Sequence, residues 1–256
     1  MPLYRTEAIV MGGWDLGEAD RIISFYPRRM GCIRAVAAGS RRVRSKFGGR
    51  LQLFTHGVLL CFAKENRDLY RINEFEPLHC FQGLRADLDR LSHASYLVEV
   101  TSVVTWEGEA SDQIFLLLLR SLRALEMGVE PFHAEKAFET GLLGVTGYLP
   151  ELQKCTKCKS SPREDSQVAL SPQEGGILCR HCQVTFPPSF PLSSSSLAYL
   201  QAAQRGDFQR LLPISLSCLE RAEITQAMHA YLGGILQREL RTLGFLERLR
   251  KAPEGV

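Results

Sequence analysis

The chain has 256 residues, 45% of them apolar and 23% charged, with a formal net charge of +3. This is the composition of an ordinary globular protein large enough for one sizeable or two modest domains. Two are expected, and the net charge alone selects no partner. The longest apolar run, Ile114 to Leu119, stops at Arg120, well short of the roughly 18 residues that suggest a membrane span. Met1 to Glu7 lacks the apolar stretch of a secretory leader. A cytosolic chain with reduced thiols is therefore expected, and its eight cysteines suggest metal rather than disulfides.

In chain order, residues 6–11, 21–26 and 32–37 read as short, partly alternating strands separated by glycine-rich or charged turns. Leu51 to Phe54 running on through Gly57 to Phe62, and Leu69 to Phe75, read as two more, joined by the polar turn 64–68. Five strands in about 75 residues predict a small closed barrel, because closure removes exposed edges. From Leu84 the apolar period becomes helical, through Leu88, Leu91 and Leu97 to Val103, Val104 and Trp106. Further helices are predicted at 111–127 behind a Ser111 cap, and at 131–146 with Pro131 at an early helical position. Residues 150–192 break the pattern with cysteines and prolines. Ser193 to Ser196 then cap a short helix from Leu197, and Ile224 to Arg250 closes the chain as helix. The expected fold class is α+β. A five-stranded barrel over residues 1–80 precedes a helical domain over 81–256, which carries an insertion at about 150–192.

Cys155-x-x-Cys158 and Cys179-x-x-Cys182 form a C-x2-C-x20-C-x2-C pattern. Each tight pair offers two thiolates, and the loop returns to complete a tetrahedron, so one structural Zn2+ is the expected occupant, with iron as a minor alternative. Four sulfurs leave no open position for substrate. Lys154, Lys157, Lys159, Arg180 and His181 surround the pairs and are expected to favour thiolates. Cys32, Cys61, Cys80 and Cys218 stand singly in apolar stretches and read as small core residues.

Between Asp20 and Glu65 there is no carboxylate, while Arg21, Arg28, Arg29, Arg34, Arg41, Arg42, Arg44, Lys46, Arg50 and Lys64 all fall inside. Gly39 to Arg50 gathers five of these cations between two strands, flanked by glycines that let backbone amides approach a phosphate. A nucleic-acid backbone is the simplest partner; a loop made basic for solubility is the plainer reading. Phe25, Tyr26, Phe47 and Phe54 are candidates for stacking on unpaired bases, core packing being the competing role. The glycines at 12–17 and 141–147 lack a phosphate-loop lysine, and the six histidines are scattered, so no catalytic centre is read and no enzyme is expected.

Thr6 to Val10, Gly17 to Ile22, the basic run Gly39 to Phe54, the cysteine pairs, and Tyr231 to Leu246 follow one another in an order that resembles the bacterial recombination mediator family RecO, over essentially the full length. The basic loop is arginine-rich here where the family's is commonly lysine-rich, which adds bidentate contacts. The resemblance implies an oligonucleotide-binding (OB) barrel, a helical domain with zinc, and a non-enzymatic role in DNA repair and homologous recombination, in the cytoplasm with the nucleoid. Family members bind single- and double-stranded DNA and anneal complementary strands. They associate with RecR, engage the acidic C-terminal tail of single-stranded-DNA-binding protein, and help RecA load onto covered strands. The expected DNA-binding set is Arg28, Arg29, Arg34, Arg41, Arg42, Arg44, Lys46 and Arg50. For the protein tail, Arg238, Arg241, Arg248 and Arg250 on the last helix are the candidates. The competing readings are a zinc-ribbon RNA-binding or transcription accessory protein and, after it, a nuclease.

Overall fold

A computed structural model describes residues 2–63, 69–105, 108–162, 167–186, 188–205, 208–236 and 240–251. The expected turn at 64–68, Trp106 and Arg238 lie outside the described residues, as do the side chains of Arg248 and Arg250. By packing, the chain forms two compact units, residues 1–128 with 240–256, and residues 129–239.

The first unit is built on strands β1 (Leu3–Leu16), β2 (Asp20–Pro27), β3 (Ile33–Ala37), β4 (His56–Ala63) and β5 (Tyr70–His79). They close in the order β1-β2-β3-β5-β4, with β3 and β5 parallel and the other pairs antiparallel. This is the OB-type barrel expected from the strand count. Alternate residues fill it: Ala8 and Val10 from β1, Ile23 and Phe25 from β2, Ile33 and Ala35 from β3, with Leu59, Cys61, Ile72 and Phe75 opposite. β1 pairs with β4 through Leu3–Ile9 and with β2 through Ala8–Leu16, and a bulge between Val10 and Gly12 re-aims its second half.

One predicted strand segment is not a strand. Gly48–Leu51 forms a 3-10 turn, and Phe54 takes a left-handed conformation at φ 71°. That conformation lets the Phe54 amide donate to Val10 O and the Val10 amide donate to Thr55 O, both at 2.9 Å, while Phe54 itself is fully buried. The apolar residues of Leu-Gln-Leu-Phe thus serve a compact turn, which buries Leu51 and Phe54, three apart.

Helices α1 (Gln82–Ala86), α2 (Leu88–Val104), α3 (Asp112–Glu126) and α9 (Arg241–Lys251) complete this unit. Asp87 caps α2 by accepting from the Arg90 amide at 3.1 Å, and Ser111 caps α3 by accepting from the Ile114 amide at 3.3 Å. The expected single closing helix from Ile224 is in fact two, α8 (Cys218–Leu236) and α9. The start of α9 is fixed by Glu99 of α2, whose carboxylate accepts from the amides of Arg241 (2.9 Å) and Thr242 (2.8 Å), satisfying orphan donors of the first turn.

The second unit centres on α4 (Pro131–Thr146), with β6 (Val168–Ser171), β7 (Gly176–Cys179), α5 (Arg180–Gln183), β8 (Phe190–Leu192), α6 (Ser194–Ala203), α7 (Phe208–Leu211) and α8. The three strands form an antiparallel sheet in the order β7-β6-β8. Ser193 caps α6, accepting from the Ser196 amide at 3.2 Å. Residues 132–140 of α4 are all buried, so this helix runs through the core rather than along it.

Among those buried residues, the Lys136 ammonium donates to Glu135 at 2.7 Å and to both oxygens of Glu139 at 2.8 and 2.9 Å, all three side chains being wholly buried. His229 of α8 places Nε2 3.6 Å from Glu135 and 3.9 Å from Glu139. Burial alone pulls the Lys136 pKa down, but the two carboxylates outweigh it and hold it above the usual lysine value. Lys136→Ala strands two carboxylates in the core and is expected to cost about 3–5 kcal/mol in urea unfolding. Replacing Glu135, Lys136 and Glu139 together with Gln, Met and Gln is expected to recover most of that loss.

Candidate metal centre and nucleic-acid interface

The two cysteine pairs are brought together by backbone pairing. A segment from Glu151 bridges to Gly176 in parallel, with Ile177 donating to Glu151 O and Thr156 donating to Ile177 O, each at 2.9 Å. A side chain at Gly176 would meet Glu151 O at 2.4 Å, so only glycine permits this approach. The first pair is thereby laid beside the end of β7, where Cys179 leads into α5 and Cys182. Lys159, at φ 61°, turns the chain after the first pair and donates its amide to Cys155 O at 3.0 Å.

The four Sγ atoms lie within 4.8 Å of one another, and Cys158 and Cys179 are 3.6 Å apart. Ligands held about 2.3 Å from one ion at tetrahedral angles are about 3.8 Å apart, so the four thiols are gathered at close to the spacing a single tetrahedral ion requires. Cys158 is lowered to about 6, first by the Ser160 hydroxyl 3.0 Å away and then by the Ser160 amide. Cys155 is also lowered, since amides of Cys179, Cys158 and Lys157 overcome its burial. Cys182 is raised to about 12, by desolvation first and then by the neighbouring thiols. Thiolates crowded this closely repel, and a divalent cation among them removes the repulsion.

Two of the cations expected to favour thiolates act elsewhere. Lys157 pairs with Glu174 at 2.5 Å and lies 4.4 Å from the Phe186 ring centroid, while Lys159 donates to Thr156 O. Hydrogen bonding, not lysine charge, sets the Cys158 value. His181 is exposed and outside the donor cluster.

The basic stretch does not form one patch. Arg28 and Arg29 follow the C-terminal end of β2, whereas the loop carrying Arg41, Arg42, Arg44 and Lys46 leaves β3 beside the N-terminal end of β2, where Ala37 pairs with Arg21. Seven residues of strand, about 23 Å, separate the two ends. Arg28 is committed to carboxylates: its guanidinium binds Asp112, and also Glu7 at 3.3 Å. The Asp112 hydrogen bond holds Arg28 above its ordinary pKa and Asp112 below its own. Arg28 and Arg29 line a cavity of about 260 Å³ with Arg5, Thr6, Glu7 and Val58. Arg5 lies outside the acid-free interval and carried no sequence signal.

The loop cluster is pinned to the barrel. Phe47 and Leu51 are buried in the barrel core, fixing the loop's C-terminal side. The Arg41 amide donates to Ala19 O at 3.0 Å, and its side chain donates to Gly17 O at 2.8 Å and pairs with Asp15 at 3.4 Å. Asp20 accepts from the Gly39 amide at 2.7 Å. The Lys46 ammonium donates to Asn73 O at 2.6 Å. Lys46 and Arg50 line a second cavity of about 270 Å³, with Phe47, Asn73, Glu74 and Phe75. Arg29, Arg34, Arg42, Arg44 and Arg50 are exposed and make no ion pair with a described residue.

The four stacking candidates are overturned. Phe25, Tyr26 and Phe54 are fully buried and Phe47 is 2% exposed, because each lies at an inward or helix-covered position. Tyr26, for instance, stacks on Phe115 of α3 with centroids 6.5 Å apart.

Barrel and cysteine centre together define a class, OB-type barrel proteins joined to a helical region that bears a tetracysteine metal-type site. Two family models match, "Recombination protein O N terminal" over residues 1–81 and "Recombination protein O C terminal" over residues 85–244. The chain belongs to the recombination protein O family. It is 34% identical over 249 residues to a protein of Roseiflexus sp., covering 97% of this chain and 87% of the relative, and 38% identical over 249 residues to one of Nocardioides sp., covering 96% and 100%. It is 31% identical over 255 residues to one of Pelotomaculum thermopropionicum, covering 100% and 98%. Each of these is named DNA repair protein RecO. Among the described residues no helix is long and apolar enough to cross a membrane.

Replacing Cys179 with Ser is expected to abolish stoichiometric bound metal, read by elemental analysis of the purified protein, and to lower the Tm. Unchanged metal content and Tm would contradict the assignment of the four thiolates.

Proposed function

We propose that the chain is a non-enzymatic recombination mediator in DNA repair and homologous recombination. It binds single- and double-stranded DNA, anneals complementary strands, and acts with RecR to load RecA onto strands covered by single-stranded-DNA-binding protein. The observation that carries this reading is the loop over residues 39–50, whose five cations are presented on an OB-type barrel within an interval free of carboxylates. The names borne by the relatives agree with it.

In this reading Arg34, Arg41, Arg42, Arg44, Lys46 and Arg50 neutralise phosphates without reading sequence. Arg28 and Arg29 take a second stretch of backbone at the other end of β2, where Asp112 and Glu7 moderate the charge of Arg28. Two separated phosphate-binding ends suit an annealing factor, because each can lessen the repulsion felt by one of two converging strands. The tetracysteine site holds one Zn2+ in a structural role, closed to substrate. The acidic tail of single-stranded-DNA-binding protein docks on the last helix, and the protein works in the bacterial cytoplasm at the nucleoid.

Fluorescence annealing of complementary oligonucleotides coated with single-stranded-DNA-binding protein tests the reading. Rapid annealing is expected for the wild type and its loss for the Arg41/Arg42/Arg44→Ala variant. The slope of log affinity against log salt on single strands should fall by about 2 in that variant, at about 0.7 per phosphate contact. Absence of annealing by the wild type, with tight binding to folded RNA, would replace the reading with an RNA-binding one.

A further inference from the structure

With the four expected stacking aromatics buried, the barrel surface beside the basic loop still presents one large ring. Trp14, on the β1–β2 hairpin, is 47% exposed. We propose that Trp14 is a stacking platform for an unpaired base, and that it gives the barrel a preference for single strands over duplex. This rests on the reading of the basic loop as a phosphate-binding element.

The argument is one of register. Val10, Ile23, Phe25 and Ala35 point into the barrel, so the alternate residues of β1, β2 and β3 point outward. Trp14 pairs with Ile22, Ile22 with Val36, and Val36 with Arg71 of β5, which places these four side by side across the outer face. The adjacent outward row runs from Gly12 through Ser24 to Arg34. Arg34 and Arg71 are exposed, and neither row contains a carboxylate. Farther along, helix α3 covers the same face where Tyr26 meets Phe115, whereas here Trp14, Arg34 and Arg71 are exposed over a buried Ile22.

The phosphate-binding loop abuts this platform. Arg41 fastens the loop to the hairpin through Ala19 O, Gly17 O and Asp15, one residue from Trp14. Gly12, in the outward row beside Trp14, stands at φ 152° with no atom within 4 Å of where its Cβ would be, which leaves open space next to the ring. An indole beside Ile22 and Gly12, with Arg34 two strands away on the adjacent row, offers a flat face to a base whose phosphates lie on Arg34 and the loop. A duplex keeps its bases stacked internally and offers no free face, so the same site holds it by phosphates alone. The sequence carried the signal as a lone tryptophan in Gly-Gly-Trp-Asp, too polar a setting for a core residue.

The test uses the full chain. In a Trp106→Phe background, which leaves Trp14 as the one indole, emission is followed during titration with an oligothymidylate and with a blunt duplex. Affinities of the otherwise wild-type chain, Trp14→Ala and Trp14→Phe are measured in parallel by anisotropy of labelled DNA, with Tm as a control. Quenching by the single strand and little change with the duplex are expected. Trp14→Ala should lose roughly 5- to 150-fold of single-strand affinity, the range that one base stack supplies, with duplex affinity unchanged and Trp14→Phe close to wild type. If both DNAs bind the wild type but emission stays constant and Trp14→Ala matches it, the inference is overturned while the proposed function stands. An equal loss on duplex also overturns it. If the wild type binds neither DNA, the proposed function fails and this inference with it.

Discussion

Strand β1 is shared. Its first half is hydrogen-bonded to β4 and its second half to β2, and this double pairing closes the barrel. Closure leaves no free edge among the five strands and fixes where each connection emerges. The basic loop therefore leaves the barrel beside the hairpin that β1 and β2 form. Because Phe47 and Leu51 are built into the core, the loop is anchored to the hairpin at one side and to the barrel interior at the other. A loop rich in arginine would otherwise be held apart by its own repulsion. Here hydrophobic burial and the Asp15 and Asp20 contacts offset that repulsion without covering Arg42 or Arg44.

The second unit meets a different constraint, that of passing polar groups through a core. Helix α4 carries a lysine and two glutamates into full burial, and it does so only as a mutually bonded set with His229 alongside. The segment around the cysteines has few apolar residues of its own. It is held by backbone pairing to β7 and by Leu152 and Ile177, which reach the core of the unit, and its four thiols lie close enough together to share one ion.

Legibility followed the length scale of the signal. The cysteine spacing picked out the four thiols that the fold gathers, since the pattern is itself the signal. Barrel strands β2 and β3 were readable to within a residue or two by alternation, and the caps at Ser111 and Ser193 by residue type. Leu51 to Phe54 misled, because Leu-Gln-Leu-Phe reads as an alternating strand while the buried pair is Leu51 and Phe54, three apart in a turn. Phe25, Tyr26, Phe47 and Phe54 misled because an aromatic beside arginines in sequence can still be buried: Phe25 faces the barrel interior, Tyr26 lies under α3, and Phe47 and Phe54 fold inward from the loop and the turn. A Glu-Lys-x-x-Glu run such as 135–139 has the spacing of a solvated helix face, and only tertiary packing turns it inward. Packing groups α1 to α3 and α9 with the barrel, while the hydrophobic period changes near residue 80, where the two family models also divide.

The placement of charge has a consequence beyond the loop. Residues 21–64 hold ten cations and no carboxylate, yet the whole chain is only +3, so everything outside that interval is net acidic. Concentrating ten cations in one stretch of the barrel draws a polyanion toward it before any contact forms. The same asymmetry explains why the acids that do reach the barrel matter. Asp15 and Asp20 hold the loop in place, and Asp112 and Glu7 bridge Arg28 to α3 and β1. Each of these acids comes from outside the basic interval and lies at its margin in space. Arg34, Arg42 and Arg44, by contrast, stay exposed without an ion pair to a described residue.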